Sequence, residues 1–243
     1  MPKALVIIPT YNELENIPLV LDKVLNLSVS FDVLFVDDNS PDGTAELVKD
    51  YTTKHNKRVF LESKSKKEGL GKAYTLGFNW ALSKNYQYIF EMDADLSHDP
   101  KDLVRMYEEI DSSNCDVVVG SRYINGINVL NWPLSRIILS YLASIYSRVI
   151  TGLPVMDATS GFVGYKREVL EKINLKSILF NGYAFQIELK FKAYKNNFKI
   201  LEIPIIFRDR IYGESKMNGD IILEAIFGLI KLKIYSFFNY LNK

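Results

Sequence analysis

The chain predicts an α/β fold, a Rossmann-like, mostly parallel sheet flanked by helices. Short apolar runs recur at Ala4 to Ile8, Phe31 to Val36, Tyr86 to Phe90 and Asp116 to Val119. Segments with helical spacing lie between them, and acidic residues gather where two of the runs end, at Asp37-Asp38 and at Asp93 and Asp95. Continuous apolar runs read as buried strands. Strands alternating with helices imply parallel pairing with helices on both faces.

The elements follow in order. Ala4 to Ile8 is a strand ended by Pro9, and Glu13 to Leu27 is a helix with Asn12 as its N-cap. Phe31 to Val36 is the second strand, Asp42 to His55 a helix capped by Asp42, and Arg58 to Leu61 a short strand. A helix over Gly71 to Lys84 leads into the strand Tyr86 to Phe90. Pro100 to about Ser112 is a helix with Asp99 as cap and Pro100 at the first helical position. Asp116 to Val119 is a strand, Trp132 to Ile150 a helix, and Ile203 to Phe207 an edge strand. Ile221 to Leu241 is amphipathic, with Glu224, Gly228, Lys231, Tyr235 and Asn239 along one face and Ile222, Ile226, Leu229, Phe237 and Leu241 elsewhere. No Pro- or Ser-rich linker and no repeat divides the chain, so residues 1–217 form one domain and 218–243 an appended amphipathic helix. Its charges argue against spanning a bilayer; it suits a membrane interface or a partner surface, or it packs on the domain.

Bulk properties exclude several classes. A net charge of +1 gives no general basic field for nucleic acid. The single cysteine, Cys115, allows no internal disulfide, fits a reducing compartment, and opens an apolar run as a core residue. Met1-Pro2-Lys3 leads straight into a strand, so no signal peptide is expected, and no stretch of about 20 uncharged apolar residues predicts a membrane span. Pro9-Thr10-Tyr11-Asn12-Glu13 stands where a dinucleotide-binding Gly-x-Gly-x-x-Gly would follow the first strand, which argues against an NAD(P) enzyme. A P-loop motif is likewise missing.

Chemistry concentrates at strand ends, where ligands bind in open α/β sheets. Asp93 and Asp95 offer two hard oxygen donors one residue apart, suited to Mg²⁺ or Mn²⁺ with substrate phosphates completing the shell. The alternative is a solvated acidic turn leading into the Asp99-capped helix. One of Asp37 and Asp38 suits a base or ribose ligand, against an ordinary Asp-rich turn. Lys67 to Ala73 opens a helix whose free N–H groups and Lys72 suit a phosphate, or it is a flexible loop with a solvated lysine. Arg136, Ser140, Ser144 and Ser147 share one helical stripe. Arg136 and Ser140, one turn apart and joined by Arg122, suit a phosphate, while Ser144 and Ser147 read as part of a solvated stripe. The charged segment Arg208 to Met217 carries Arg210 and Lys216 and a glycine hinge, a loop able to cover a diphosphate.

Eight segments in order resemble the family-two glycosyltransferases, and specifically the dolichol-phosphate (polyprenol-phosphate) mannose synthases. They are Pro9–Glu13, Asp37–Thr44, Gly69–Ala73, Met92–His98, Gly120–Tyr123, Thr159–Phe162, Gly182–Glu188 and Tyr212–Lys216. The resemblance covers nearly the whole chain and is to the compact type without a transmembrane domain. It implies the nucleotide-diphospho-sugar transferase fold, GT-A, for residues 1–217. It implies donor-nucleotide contacts at Pro9, Tyr11, Glu13 and Asp38, with Lys72 added for the phosphates. Asp93 and Asp95 match the metal motif for Mg²⁺ or Mn²⁺, with Ser97 where some members carry glutamine. Arg210 and Lys216 match the loop over the donor diphosphate, and Arg122, Arg136 and Ser140 match the lipid-phosphate site. Asp95, Arg122 and Arg210 are the expected catalytic residues.

The implied reaction is transfer of mannose from GDP-mannose to a polyprenyl monophosphate, with inversion, on the cytoplasmic face of a membrane. The acceptor is already anionic, so departure of the nucleotide diphosphate is the harder task. Alternatives are UDP-glucose or another nucleotide sugar on the same fold, and a non-catalytic nucleotide-sugar-binding subunit of a membrane complex.

Overall fold

The computed structural model describes residues 3–55, 57–182, 184–210 and 227–236. Lys216, the Tyr212–Lys216 segment, and most of the expected C-terminal helix lie outside them.

Nine strands and their helices run β1 (Ala4–Thr10), α1 (Asn16–Leu25), β2 (Phe31–Asp37), α2 (Thr44–Lys54), β3 (Val59–Ser63), α3 (Leu70–Ser83), β4 (Tyr88–Glu91), α4 (Asp102–Asp111), β5 (Val117–Ser121), β6 (Val129–Leu130), α5 (Leu134–Thr151), β7 (Val163–Lys166), α6 (Arg167–Lys172), α7 (Ala184–Lys195), β8 (Ile200–Pro204) and β9 (Phe207–Arg208). Residues 227–236 form a further helix, α8. The main sheet has the order β3-β2-β1-β4-β7-β5-β8. It is parallel except for β7, which is antiparallel to both β4 and β5. β6 and β9 pair in parallel as a small second sheet.

Alternation along the central strands builds two apolar layers. Leu5, Ile7, Leu34 and Val36 face one core with α3 and α7; Ala4, Val6, Ile8, Val33 and Phe35 face the other with α1 and α4. Both sheet faces are covered, which is why these strands carry unbroken apolar runs. Phe31 meets Phe90 edge-to-face at 5.5 Å across the second layer.

α2 and α4 begin two residues later than expected, at Thr44 and Asp102, with Gly43 and Lys101 rather than Asp42 and Asp99 at their N-caps. Three other boundaries differ from the sequence reading for a local reason. β1 runs past Pro9 to Thr10, in register with β2. The missing Pro9 N–H faces the β4 side, where that ladder has ended at Glu91. α1 begins at Asn16 rather than Glu13, and Asn12 takes a left-handed φ of 57° instead of capping. Pro18 is tolerated only in a first turn, so the helix cannot start earlier. β8 stops at Pro204 and Phe207 crosses to β6, which carries the next residues toward the cleft described below.

α5 reverses the expected exposure. Ser144 and Ser147 are buried, each 1% exposed, while Leu134, Leu142 and Val149 are 70%, 55% and 75% exposed. The solvated serine stripe of the sequence reading is thus an inward stripe. Ser144 Oγ lies 3.2 Å from Thr159 Oγ1, and Ser147 Oγ donates to the Ala143 carbonyl at 2.7 Å. These bonds satisfy the hydroxyls under cover and leave the leucines outside. α8 packs by Gly228, Leu229 and Leu232 and exposes Phe227, Ile230, Ile234 and Tyr235. Gly228, expected on the polar face, is buried against the Phe180 ring, which leaves no room for a Cβ. Gly71 meets the same segment from α3, where a Cβ would sit 2.8 Å from the Phe180 carbonyl oxygen. No described helix is long and apolar enough to cross a membrane.

Candidate active site

The turn after β4 carries the acidic pair. Met92 N–H still bonds to the Ile7 carbonyl at 3.2 Å, so the chain leaves the sheet only at Asp93. Leu96 follows with a left-handed φ of 58°. That conformation costs a branched apolar residue about 1–2 kcal/mol, and such strain collects at functional turns. Asp95 is buried; its Oδ1 accepts from Ser97 N–H at 3.1 Å, and its Oδ2 lies 3.6 Å from Arg210 Nη2. The Ser97 hydroxyl is buried without a hydrogen-bond partner among the described residues. Arg208 N–H bonds to the Ser97 carbonyl at 3.1 Å, tying the β9 segment to this turn. His98 stacks on Phe162 at 4.7 Å and meets Phe207 edge-on at 5.2 Å. Burial pushes the imidazole down to about 4, so it is neutral near pH 7. Its Nδ1 lies 3.5 Å from Asp93 N–H, on the accepting side of a long contact.

Beneath the turn lies a sealed polar layer. Glu91 is fully buried with the Gln186 side chain beside it, and the Tyr74 and Tyr165 hydroxyls have no hydrogen-bond partner among the described residues. Burial lifts Glu91 to about 8, against the pull of the Lys190 charge. Lys190, also fully buried, donates to the carbonyls of Ala158, Ser160 and Gln186 at 3.2, 2.7 and 3.1 Å, and burial lowers it to about 8. Glu188, the one acid of Gly182–Glu188, is structural. It accepts from the N–H groups of Leu179 and Phe180 and pairs with Lys192 at 2.8 Å, which fixes the turn that Gly71 and Gly228 approach.

One cleft of about 390 Å³ gathers six of the twelve expected site residues. Its walls include Asp93, Asp95, Arg122, Arg136, Ser140 and Arg210 together with Leu139, Leu142, Ala143, Tyr146, Ile187 and Leu229. Arg122, at the end of β5, does not project alone. Its Nε and Nη2 reach the two oxygens of Asp157 at 2.7 Å each, and Nη2 also reaches Thr159 Oγ1 at 2.8 Å. Burial opposes the charge, but Asp157 outweighs it and raises the guanidinium above its ordinary value. Arg136 stacks on Trp132, 3.9 Å from the ring centroid, and pairs with Asp209 at 3.0 Å. Ser140 accepts from the Tyr123 hydroxyl at 2.8 Å.

A second group sits at the carboxyl ends of β1 and β2. Pro9 pairs in register with Val36, and the Lys67 ammonium lies 3.6 Å above the Tyr11 ring. Glu13 accepts from Asn16 Nδ2 at 2.8 Å, and its N–H donates to Thr44 Oγ1 at 3.0 Å. The acidic pair divides its labour. Asp37 accepts from Thr10 and Ser40 and holds the turn together. Asp38 pairs with Lys64 at 2.7 Å and accepts from the N–H groups of Glu68 and Gly69. Burial raises Asp38, but these bonds leave it below its ordinary value. They also occupy N–H groups that the sequence reading left open for a phosphate, and the Gly71 N–H goes to the Asn181 carbonyl at 2.8 Å. Lys72 is exposed and does not line the cleft.

Asp157, Asp209, Trp132 and Lys190 were not singled out from sequence. Each sits inside ordinary apolar or charged surroundings, and only the fold sets it against its partner. No local signal marked the acids: not one Asp or Glu lies between Asp116 and Asp157, the stretch that holds Arg122 and Arg136.

Among the described residues no three His, Cys, Asp or Glu side chains converge as a metal cage. Two carboxylates in an open cleft still fit Mg²⁺ or Mn²⁺, which are bound by one or two carboxylates while substrate phosphates supply further oxygens. Asp93 and Asp95 would hold such an ion.

A mostly parallel sheet with an acidic pair at the end of its central strand and cations around one cleft narrows the choice of family. Residues 5–174 match the model for "Glycosyl transferase family 2". The chain belongs to this family. Among similar glycosyltransferases, the polyprenol monophosphomannose synthase of Mycolicibacterium smegmatis is 45% identical over 225 residues, covering 93% of this chain and 84% of that protein. The undecaprenyl-phosphate mannosyltransferase of Micrococcus luteus is 41% identical over 224 residues, covering 92% of this chain and 91% of that protein. The glucosyl-3-phosphoglycerate synthase of Mycobacterium tuberculosis, solved with Mn²⁺, UDP and glucosyl-3-phosphoglycerate, superposes with a TM-score of 0.69 at 15% identity, covering 95% of this chain and 80% of that one. The fold of this family 2 glycosyltransferase is GT-A.

Proposed function

We propose that this glycosyltransferase moves mannose from GDP-mannose to a polyprenyl monophosphate, with inversion, giving a β-mannosyl phosphate lipid. The observation that carries the reading is the composition of this cleft. A carboxylate pair, three arginines and a long apolar wall share it. Such a mixture suits an amphiphile with a phosphate head beside a charged donor, and suits a short polar acceptor poorly. The two curated relatives are named for the same chemistry, and each is matched over most of its length.

In this reading Pro9, Tyr11, Glu13 and Asp38 hold the nucleotide, with Lys72 and Lys216 expected beside its phosphates. Asp93 and Asp95 hold a divalent metal, which when bound neutralises charge on the departing diphosphate. Arg210 adds positive charge on the same side. Arg136 and Ser140 take the lipid phosphate, and Arg122, held rigid by Asp157, gives that anion a fixed positive field. Fixed donors of this kind cost no reorganisation when the leaving group departs. The acceptor oxygen is anionic at neutral pH, so positioning it in line with the anomeric carbon is the main demand on the protein.

Residues 1–217 are the catalytic domain in this proposal, and 218–243 the membrane or partner contact. The exposed leucines of α5 and the exposed face of α8 support attachment at a membrane surface; that this is the cytoplasmic side is part of the proposal. The test is an assay with donor, Mg²⁺ or Mn²⁺, and a short polyprenyl phosphate, reading released nucleotide diphosphate and mannosyl lipid. Release with GDP-mannose is the expected result. Release only with a UDP sugar would replace the donor, and nucleotide binding without any transfer would favour a non-catalytic subunit.

A further inference from the structure

Asp209, not itself a wall residue of the cleft, links two arginines that are. Its Oδ1 accepts from Arg136 Nη1 at 3.0 Å and from the Arg210 backbone N–H at 3.1 Å. The Arg210 side chain in turn reaches Asp95 Oδ2 at 3.6 Å. Asp209 is itself pinned, since its N–H bonds to the Leu130 carbonyl of β6 at 3.2 Å. One carboxylate oxygen therefore joins the arginine assigned to the acceptor phosphate to the segment carrying the arginine assigned to the donor.

The pair is suited to exchange. The Arg136 and Asp209 side chains are 28% and 37% exposed, and half-exposed ion pairs are weak. A phosphate offers Arg136 more charge and a bidentate geometry, so it competes well against a single carboxylate oxygen. Stacking on Trp132 keeps Arg136 at the cleft wall while its partner changes.

We infer that Asp209 is the counter-ion that an acceptor phosphate displaces from Arg136, and that its release alters the hold on Arg210 beside Asp95. Asp209 is a positioning residue, acting through two arginines. Empty, the site keeps Arg136 paired and resists stray anions; filled, it passes the acceptor's presence to the donor side. The assignment of an acceptor phosphate rests on the function proposed above; the displacement itself requires only an anion at Arg136.

The test uses the full chain and two probes, inorganic phosphate and a short prenyl monophosphate. Trp132 is a built-in reporter of Arg136, and Trp80→Phe removes the only other tryptophan signal. Asp209→Asn deletes the charge and keeps an oxygen for the Arg210 N–H. Both probes are expected to bind this variant about two- to fivefold more tightly, as loss of a weak competing ion pair allows. The ratio of GDP dissociation constants with and without prenyl phosphate, distinct from one in the parent chain, is expected to move to about one. Equal or weaker binding of both probes at an unchanged melting temperature overturns the counter-ion assignment, and an unchanged ratio overturns the coupling. If the parent transfers no sugar to any polyprenyl phosphate, the acceptor reading fails; tighter inorganic phosphate binding by Asp209→Asn would still uphold the counter-ion.

Discussion

Arg122 and Asp157 form a buried fork-to-fork pair, with both guanidinium contacts at 2.7 Å and the Arg122 N–H adding a third bond at 2.9 Å. Glu202 holds the other side of the loop by accepting from the N–H groups of Met156 and Asp157 at 2.6 and 2.9 Å. Burial alone would raise Asp157, but the Arg122 charge and bonds keep it below its ordinary value. Removing one partner of a buried pair strands the other charge, at about 3–5 kcal/mol. Asp157→Asn is therefore expected to lose about 3 kcal/mol of stability near neutral pH.

That loss has a pH signature. The folded Asp157 binds its proton more weakly than the unfolded chain does, so its stabilisation is complete above about pH 4 and fades as pH falls through the lower folded value. The gap between parent and Asp157→Asn in urea midpoints should be full at pH 7 and narrower at pH 3. A gap of constant size over that range would show that the charge is not what Asp157 contributes.

Arg136→Ala separates acceptor from donor. A charge-assisted bond to a phosphate contributes about 1.5–3 kcal/mol, so kcat/KM for the polyprenyl phosphate should fall roughly 10- to 150-fold. Binding of GDP-mannose with metal, followed by calorimetry, should change little. Equal loss in both measurements would remove Arg136 from the acceptor site.

In the proposed reaction the donor side answers to metal. With Asp93 and Asp95 as its protein ligands, chelation by EDTA and the Asp95→Asn exchange should both abolish metal-dependent tightening of GDP binding. The variant should keep its fold. Thermal shift with GDP, with and without Mn²⁺, reads both at once, because a ligand that binds the folded state raises the melting temperature with occupancy. Metal-dependent stabilisation retained in Asp95→Asn would take Asp95 out of the metal site.

Sequence reached the central strands and the acidic turn because both write simple local patterns. Phe31 to Val36 is apolar on both faces, and Asp93 to Asp99 breaks an apolar run abruptly. It did not reach α7, where Phe185 to Phe191 are all buried, Glu188 and Lys190 included, so no apolar stripe marks the helix. It read the serines of α5 as solvated because a polar stripe usually faces water. Here Ser144 finds Thr159, and the leucines are left outside. The partners Asp157 and Asp209 lie 35 and 73 residues from their arginines, beyond any periodic signal.

The outward leucines of α5 yield the last prediction. Leu134, Leu142 and Val149 are well exposed, as are Phe227 and Ile234 on α8. In water such residues add nothing to the fold, and exchanging them for serine should shift stability by no more than about 0.5 kcal/mol. Against a bilayer each apolar side chain that enters gains about 1 kcal/mol or more, so one exchange should weaken vesicle binding about fivefold. Leu142→Ser and Val149→Ser together should give roughly 25-fold if both enter the same interface. Sedimentation with anionic lipid vesicles measures it, and soluble short-chain acceptors control for damage to the cleft, because Leu142 also lines it. Val149 does not line the cleft, so a vesicle-binding defect in Val149→Ser with normal turnover of the soluble acceptor isolates the membrane contact. Unchanged partition of the double variant would leave the α5 face without a lipid role and shift attention to a protein partner.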